Sequence, residues 1–489
     1  MELETIKKII KKNIRGYTGR MKRIRKAEMY YANENDILRR RDPLEEKLKQ
    51  ENPDHPLRNA DNRISHPWHW LLVDQKASYT MTVPPTFDAK EKHLNDEITK
   101  LLGDSFPKIA KDLAVNASNA GIAWLHVWKD EEYQNFFRYA VVDSKQIIPV
   151  WSKKLNSQLE GVLRIYEDFD EQGNTIVIYE YWNDKECSYY FREKRNKLED
   201  LEEFNVITLY DIGTGESAGT TNIFEHDWGR VPFIPFRNNS SELSDLKKYK
   251  KLVDVYDKVF SGFVNDLDDV QEIIFVLTNY GGEDKKEFLH DLKKYKMVKV
   301  EDDGQGAKGG VETLAVEIPI EARSKILEMT REAIFLQGQG VDPLKNIGQN
   351  NSGAALEYMY SLLELKASML ETEFRQGFAE LVRMILQYSG ADPDVRIEQK
   401  WTRTSIKDES QMADIIQKLA PTTSLESIAK NNPLVEDWEE ELKALAKEKA
   451  DADRMSSDYR SEEELNLEDE EEDEDESKTA RRTDEAQRK

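Results

Sequence analysis

The spacing of apolar residues changes along the chain and divides its first half into helical and strand-like regions. Helical patterns cover 3 to about 41, then Trp68–Ser78 and Glu91–Asn119. Between about 121 and 236, β-branched and aromatic residues alternate with polar ones, which predicts a mostly antiparallel β region. The turn Glu171–Asn174 lies between two alternating runs and predicts a hairpin.

Beyond Ser244 the apolar spacing returns to about 3.6 residues. One stripe continues over about 36 residues, 244–279, and predicts a long helix. A small αβ insert is predicted next, at 280–318, with a helix at Glu283–Lys294 and strands at Met297–Val300 and Val311–Ile318. Pro319 then opens a helix that runs to Gln337, since proline lacks the amide hydrogen that would be unpaired there.

The last third of the chain is also predicted to be mainly helical. A polar segment, Gly340–Ser352, precedes a second long helix over 353–388. Smaller helices are predicted at Lys407–Leu419, Ser424–Lys430 and Pro433–Lys449. The pattern as a whole predicts a predominantly helical α+β fold in which long helices flank a small αβ insert.

Charge is distributed unevenly along the 489 residues, whose net charge is −24. The first 41 residues carry thirteen basic and five acidic side chains, whereas twelve of the fifteen residues in Glu462–Glu476 are acidic. Residues 461–489 have too little apolar content to form a core, so we expect disorder there. No apolar run reaches the roughly 18 residues of a membrane span, and we expect no signal peptide. Cys187 is the only cysteine, which excludes an intrachain disulfide.

The motifs associated with catalysis are weak. Residues Gly304–Gly309 match G-x-G-x-x-G, but a dinucleotide site needs a helix after the motif, and here strand-like residues follow. His66, His69 and Asp74 could be drawn as a metal site, yet no third ligand stands at convincing spacing, which favours a packed helix. We therefore predict no catalytic residue, metal or cofactor, and any ATP-driven step would belong to a partner.

Each of three polar segments is consistent with more than one interpretation. The basic N-terminal segment could bind phosphates or an acidic protein, or be a solvated helix face. The acidic tail could solubilise the chain, or repel or mimic nucleic acid. The loop at 340–352 could touch a DNA backbone without reading sequence, or only link two helices. Its candidate DNA-facing residues are Lys345, Asn346, Gln349, Asn350 and Asn351.

Three sequence segments carry a resemblance by their order and spacing: Trp228–Asn239, Val253–Asp257 and Ser352–Glu357. Together they resemble the portal proteins of tailed bacteriophages, in particular those of long-tailed phages and prophages of Gram-positive bacteria. The individual motifs are loose, and the resemblance extends over about 62–449. It implies a homo-oligomeric ring of usually about twelve subunits at one capsid vertex, with viral DNA passing through its centre.

The resemblance also implies a division of the chain. The expected regions are a wing at 1–243 (basic helical head, then the β region), a long helix from wing into stem at 244–279, a clip at 280–318, a second stem helix at 319–338, a tunnel loop at 339–352, a wing helix and strand at 353–400, a helical crown at 401–460 and a disordered tail at 461–489. Charged residues on the second stem helix are possible channel-lining residues: Glu321, Lys325, Glu328 and Arg331.

The partners implied by the resemblance are other copies of the chain, double-stranded DNA bound without sequence specificity, terminase, major capsid and scaffolding proteins, and a head-completion adaptor. The expected location is the virion, after assembly in the host cytoplasm, with no membrane. Two other functions stay open from the residues alone. One is a metal-dependent DNA-processing enzyme, and the other is a cytoplasmic nucleic-acid-binding scaffold.

Overall fold

The structure, a computed structural model, describes most of the chain. The described residues are 3–39, 60–130, 136–155, 157–210, 217–270, 274–278, 310–314, 319–344, 353–403, 418, 423–431, 435, 438 and 440–452.

Helices form most of the first 120 residues, as predicted. They are α1 (Leu3–Tyr31), α2 (Asp36–Arg39), α3 (Trp68–Met81), α4 (Lys92–Leu102) and α5 (Phe106–Ala120), with the short strand β1 (Thr86–Asp88) after α3. The helical pattern predicted to about residue 41 is interrupted near Asn33, whose φ of 60° is a left-handed conformation that asparagine tolerates. The predicted region at 91–119 is likewise two helices, and proline stands in the first turn of the second.

The predicted β region is confirmed, and every strand pair described in it is antiparallel. Its strands are β2 (Ile122–Asp130), β3 (Phe136–Val142), β4 (Ile147–Trp151), β5 (Leu159–Phe169), β6 (Thr175–Trp182), β7 (Glu186–Glu193), β8 (Glu202–Glu203), β9 (Ile207–Tyr210), β10 (Ser217–Thr221), β11 (Ile223–Glu225) and β12 (Phe233–Arg237). One six-stranded sheet has the order β11-β7-β6-β5-β4 with β8 beside β7, and a second has the order β12-β2-β3. The predicted hairpin joins β5 to β6.

The long helix predicted over 244–279 is shorter in the structure. Helix α6 spans Leu246–Val270, and β13 (Ile274–Thr278) pairs antiparallel with β14 (Gly310–Leu314). The run 274–278 reads Ile-Phe-Val-Leu-Thr, so its apolar positions fit a helical stripe, while its β-branched and aromatic side chains favour a strand. The insert predicted at 280–318 therefore begins with a strand before residue 280, and its predicted helix at 283–294 and strand at 297–300 lie outside the described residues.

The two later helices agree with the apolar pattern. Helix α7 spans Ile320–Gly338 directly after Pro319, and α8 spans Gly353–Tyr388. Strand β15 (Glu398–Lys400) follows and pairs with β1. Strand β14 also settles the glycine motif at 304–309, because a strand and not a helix follows it.

The chain divides into two compact units, Met1–Ser405 and Ile406–Lys489. In the second unit the described residues form α9 (Leu425–Asn431) and a helical stretch over 440–452, where two of the three helices were predicted. The helix predicted over Lys407–Leu419, apart from residue 418, and the acidic tail lie outside the described residues.

Aromatic side chains of α8 lie at the centre of the main core. Phe374 and Phe378 are fully buried, and Phe378 packs against Phe236 of β12 and Phe106 of α5 at ring-centroid distances of 4.9 and 5.5 Å. Gly377 lies between these two α8 residues and directly faces the Phe236 ring. Helix α8 thus fastens the β12-β2-β3 sheet to α5.

We expect the substitution Gly377→Ala to destabilise this core. A Cβ at this position would lie 2.6 Å from the Phe236 ring, and overpacking of a buried contact costs about 1–3 kcal/mol. Urea unfolding followed by circular dichroism measures the loss. The matched control is Gly19→Ala in α1, where no heavy atom lies within 4 Å and alanine should stabilise the helix by about 0.5–1 kcal/mol. Equal or greater stability of the Gly377→Ala variant would contradict this packing.

Candidate functional site: a polar junction and the helix it supports

Three charged side chains meet in the interior where helices α3, α6 and α8 converge. The Asp245 carboxylate, just before α6, lies 2.6 Å from Lys76 Nζ of α3 and 3.3 Å from Lys366 Nζ of α8. Asn238 accepts from Lys76 at 2.7 Å and donates to Asp245 at 2.9 Å. All four side chains are buried. We call Lys76, Asp245 and Lys366 the polar junction.

Burial and the neighbouring charges shift the pKa values of the polar junction. Burial lowers the pKa of Lys76 to about 8, although Asp245 acts in the opposite direction. Burial opposes ionisation of Asp245, but Lys366 and Lys76 outweigh it and hold the pKa of that carboxyl well below its usual range. The second lysine also has a backbone partner, because Lys366 Nζ donates a hydrogen bond to the carbonyl of Gly338 at 2.8 Å. That carbonyl lies at the negative end of the α7 dipole, which stabilises a cation.

The histidines considered as metal ligands are structural. His69 Nδ1 lies 2.6 Å from the Tyr249 hydroxyl, and its Nε2 lies 2.9 Å from Asn119 Oδ1. Burial lowers the pKa of His69 to about 4, so the ring is neutral at pH 7. His66 lies instead beside the buried Asp257, at 2.8 Å. Within the part of the chain that the structure describes, no group of three or more His, Cys, Asp or Glu residues could hold a metal ion.

The C-terminal end of α7 is fixed at the junction. Gly338 packs directly against Leu72 of α3, so closely that a β-carbon there would clash with it. Gln75 of α3 exchanges two hydrogen bonds with the Val341 backbone, at 2.8 and 3.1 Å. Arg331 of α7 pairs with the carboxylate of Asp342. These contacts therefore fix the first residues of the segment that follows α7.

The predicted DNA-facing residues Lys345, Asn346, Gln349, Asn350 and Asn351 lie outside the described residues. The description ends at Leu344, whose side chain is exposed and whose amide donates to Asp342 Oδ1 at 3.0 Å.

Helix α7 has three distinct faces at 3.6 residues per turn. The first, carrying Thr330, Ile334 and Gly338, is buried. The second carries apolar side chains at alternating spacings of four and three residues, and its large members are exposed: Ile326 by 46%, Met329 by 59% and Leu336 by 64%. We call this the apolar stripe, and its five members are Ala322, Ile326, Met329, Ala333 and Leu336.

The third face of α7 carries most of the charged residues predicted to line a channel. Glu321 is exposed, and Lys325 Nζ lies 2.8 Å from Glu328 in an exposed ion pair. Arg331, the fourth predicted residue, lies on the side that faces Asp342 instead. The structure thus pairs two of the four residues, whereas Arg331 lies near enough to Glu328 to help lower the pKa of that carboxyl but forms its ion pair with Asp342. A channel-lining role of all four stays a prediction.

Nothing in the sequence identifies the three residues of the polar junction as partners. Lys76, Asp245 and Lys366 are far apart in the chain and are three among 71 basic and 95 acidic residues. The apolar neighbours of Lys76 in the sequence were a weak sign of burial, but they do not identify its partner.

The sequence places this fold in a known class of structural protein. The chain matches the family described as "Phage portal protein, SPP1 Gp6-like" over residues 10–455, and it therefore belongs to that family. It is 40% identical over 475 residues to the portal protein of Clostridium phage phiCD119, covering 94% of this chain and 99% of that protein. It is 34% identical over 440 residues to the portal protein of Bacillus phage SPP1, covering 86% and 83%.

A chain of a solved structure titled "Virion of native gene transfer agent (GTA) particle" is 13% identical to this chain, with a TM-score of 0.39 over 73% of this chain and 85% of that one.

Family membership confirms the resemblance found in the sequence. Portal proteins are structural channel proteins and not enzymes, and they are components of the virion. An oligomeric ring, a role in DNA packaging and association with capsid and terminase in general follow from the family. Among the described residues no helix is both long and apolar enough to cross a membrane.

We expect Asp245→Asn to destabilise the fold strongly, because two buried ammonium groups would lose their counter-charge. Breaking a buried ion pair by removing one partner costs about 3–5 kcal/mol. Urea unfolding measures the change. The matched control is Glu398→Gln, which removes an exposed carboxylate 2.6 Å from Lys90 and should cost less than about 1 kcal/mol. Unfolding of Asp245→Asn at the wild-type urea concentration would show that the junction does not determine stability.

Proposed function

We propose that this chain forms a ring of about twelve subunits at one capsid vertex, through which viral DNA is packaged and ejected. Terminase docks on the ring during packaging and a head-completion adaptor afterwards, on the clip that residues 280–318 contribute. Helices α6 and α7 form the stem, residues 1–243 and 353–400 the wing, and 401–460 the crown. Major capsid and scaffolding proteins contact the ring during its assembly in the host cytoplasm.

The pairing of α6 with α7 supports a stem of two antiparallel helices. Arg323 near the start of α7 pairs with Asp266 near the end of α6. At the other end, Lys248 near the start of α6 donates to Gln339 just beyond α7, at 2.9 Å. The two ends of the insert, at 270 and 319, therefore lie at the same end of the helix pair, which supports a clip formed between them.

The apolar stripe of α7 is the observation that carries the ring proposal. A monomer would expose Ile326, Met329 and Leu336 to water, and contiguous apolar surface of this kind marks a protein contact. A ring gives every subunit the same neighbour, so one helix face is covered in all copies by one repeated heterologous contact. We propose that the neighbouring subunit's stem covers the stripe.

If the stripe faces a neighbour, the charged face of α7 is available to line the channel. Its mixed charge suits a passage for any DNA sequence, because Lys325 is already paired with Glu328 and offers little net attraction to phosphate. We propose that Glu321, Lys325 and Glu328 line the wall, and that Arg331 holds the base of the tunnel loop through Asp342. The loop residues Lys345, Asn346, Gln349, Asn350 and Asn351 then contact the DNA backbone without reading its sequence.

We expect Met329→Glu to prevent ring assembly without unfolding the subunit. Met329 is exposed in the monomer, so a carboxylate is tolerated there, but in the ring it would be buried without a partner. The wild type should give ring-shaped particles of about twelve times the chain mass, in mass photometry and negative-stain images. The variant should stay monomeric at concentrations at least about tenfold above those at which the wild type assembles.

The matched control is Lys325→Gln, an exposed substitution on the charged face of the same helix, which should assemble normally. Normal rings from Met329→Glu would show that another face makes the contact, whereas a wild type that stays monomeric or dimeric would contradict the ring itself.

We expect Lys345→Ala to impair packaging while rings still assemble. The substitution removes the one cation of the predicted loop, and with it a contact to the DNA backbone. Packaged DNA per particle measures the first effect, and negative-stain images of the purified protein measure the second. Loss of the oligomer in this variant would show that the loop is structural.

A further inference from the structure

A cavity of about 770 Å³ lies beside α1, between that helix, β4 and residues 241–247. Its walls are mainly apolar and include Ile24, Ile148, Trp151 and Leu246. We call it the α1 cavity. Its volume is that of a pocket for an organic group and exceeds what a single ion needs.

The α1 cavity carries a strong excess of positive charge. Six of its lining residues are basic and one is acidic: Arg20, Lys22, Arg23, Lys26, Lys247 and Lys250, with Glu242.

Several of these charges are already neutralised. Lys26 and Lys250 pair with Asp36, and Arg237 engages Glu242 at 3.1 Å. Within the described residues, Lys22, Arg23 and Lys247 form no ion pair. The uncompensated charge of the cavity is therefore positive.

Arg20 is the cavity residue that most needs a ligand. Its Nη2 atom is buried and has no hydrogen-bond partner in the described part of the chain. Burial lowers the pKa of this guanidinium, and Glu242 only partly offsets the effect. A buried donor without an acceptor is costly, so an arriving carboxylate would gain a charge-assisted hydrogen bond.

The walls and the charges together define the ligand as an apolar group next to a carboxylate. A DNA backbone has phosphates but no apolar group to fill the interior, so protein is the better match. The chain itself displays such a group at the tip of the β5–β6 hairpin. Phe169 is 70% exposed there and is flanked by acidic residues on both sides: Glu167, Asp168, Asp170 and Glu171.

Hydrogen bonds fix the turn of the hairpin, and two carboxylates near it form no ion pair within the described residues, although Asp168 Oδ1 accepts from the Phe169 amide at 2.8 Å. Asp170 accepts from the amides of Gln172 and Asn174, at 3.0 and 2.7 Å, which fixes the turn. Glu167 pairs with Lys194 at 2.6 Å. Asp168 and Glu171 form no ion pair within the described residues, and Asp168 is next to Phe169.

The tip cannot reach the cavity of its own subunit. Ile147, which lines the cavity, is paired in the sheet with Arg164, five residues before Phe169 on the same strand. At 3.3 Å per residue the tip is about 17 Å further along a hydrogen-bonded strand. Another copy of the chain must therefore supply any tip that fills the cavity.

We propose that the β5–β6 tip of each subunit inserts Phe169 into the α1 cavity of the next subunit, where a carboxylate of the tip binds Arg20. This inference rests on the ring of the proposed function. The tip and the cavity are different surfaces of one chain, so the contact is heterologous. It repeats from subunit to subunit until the ring closes. It would be a second contact between neighbours, separate from the apolar stripe.

Cysteine cross-linking tests the proposal. Cysteines are introduced at the tip, Glu171→Cys, and at the cavity rim, Ser241→Cys, in the full chain. The native Cys187 is buried and burial raises the pKa of its thiol, so it should not react. Assembled rings oxidised with copper phenanthroline should give a ladder of covalent multimers on non-reducing gels, and each single-cysteine variant should stay monomeric on the gel.

Two further substitutions separate this contact from chance proximity. In the double-cysteine background, Arg20→Gln or Phe169→Ala should slow multimer formation about tenfold or more. Arg25→Gln, an equal change of charge at an exposed site on the same helix outside the cavity, should not. Arg20→Gln should also leave the thermal stability of the unassembled subunit unchanged or higher, because it removes an unsatisfied buried donor.

Intact rings that give no ladder would overturn this inference and leave the ring proposal standing. A ladder unaffected by Arg20→Gln and Phe169→Ala would also overturn it, since proximity would then not depend on the proposed contact. Absence of rings in the wild type would contradict the proposed function itself.

Discussion

The buried carboxylate of Asp245 is the constraint on which helices α3, α6 and α8 and their surroundings depend. It is shared by Lys76 of α3 and Lys366 of α8, and it immediately precedes α6. An ion in a dry interior is stable only with its partners in place, so these elements cannot shift independently without separating the charges. Apolar packing alone would allow small sliding movements. The junction therefore fixes the positions of α3, α6 and α8 along one another. Hydrophobic contacts alone would keep these helices together without fixing those positions.

The same junction determines where α7 ends. Lys366 donates to the Gly338 carbonyl, and the close packing of Gly338 on Leu72 brings the α7 terminus against α3. From this point Gln75 and Arg331 direct the first residues of the predicted tunnel loop. The loop that we propose to contact DNA is thereby attached at Gly338, where Lys366 of the polar junction donates to the backbone.

Sequence periodicity predicted the long elements well because each is long enough to show one period clearly. Helix α7 differs from its prediction by one residue at each end, and α8 begins and ends as predicted. Periodicity failed at 274–278, where four apolar residues followed by threonine fit both a helix and a strand. The polar junction and the α1 cavity were beyond prediction, since both depend on residues brought together by the fold from distant parts of the chain.

The basic N-terminal segment acquires a different meaning from the structure. Its charge left phosphate binding, an acidic protein partner and a solvated helix face open. Ile6 and Ile10 of α1 are buried against the six-stranded sheet, and Lys11 and Lys26 are paired with Glu199 and Asp36. Cations already paired with carboxylates of the same chain add little to phosphate binding. The cations left unpaired around Arg20 surround a mainly apolar cavity, which suits a protein side chain better than a nucleic acid. An acidic ring whose basic residues are paired within the subunit or, as we propose, with the next subunit would enclose DNA without retaining it.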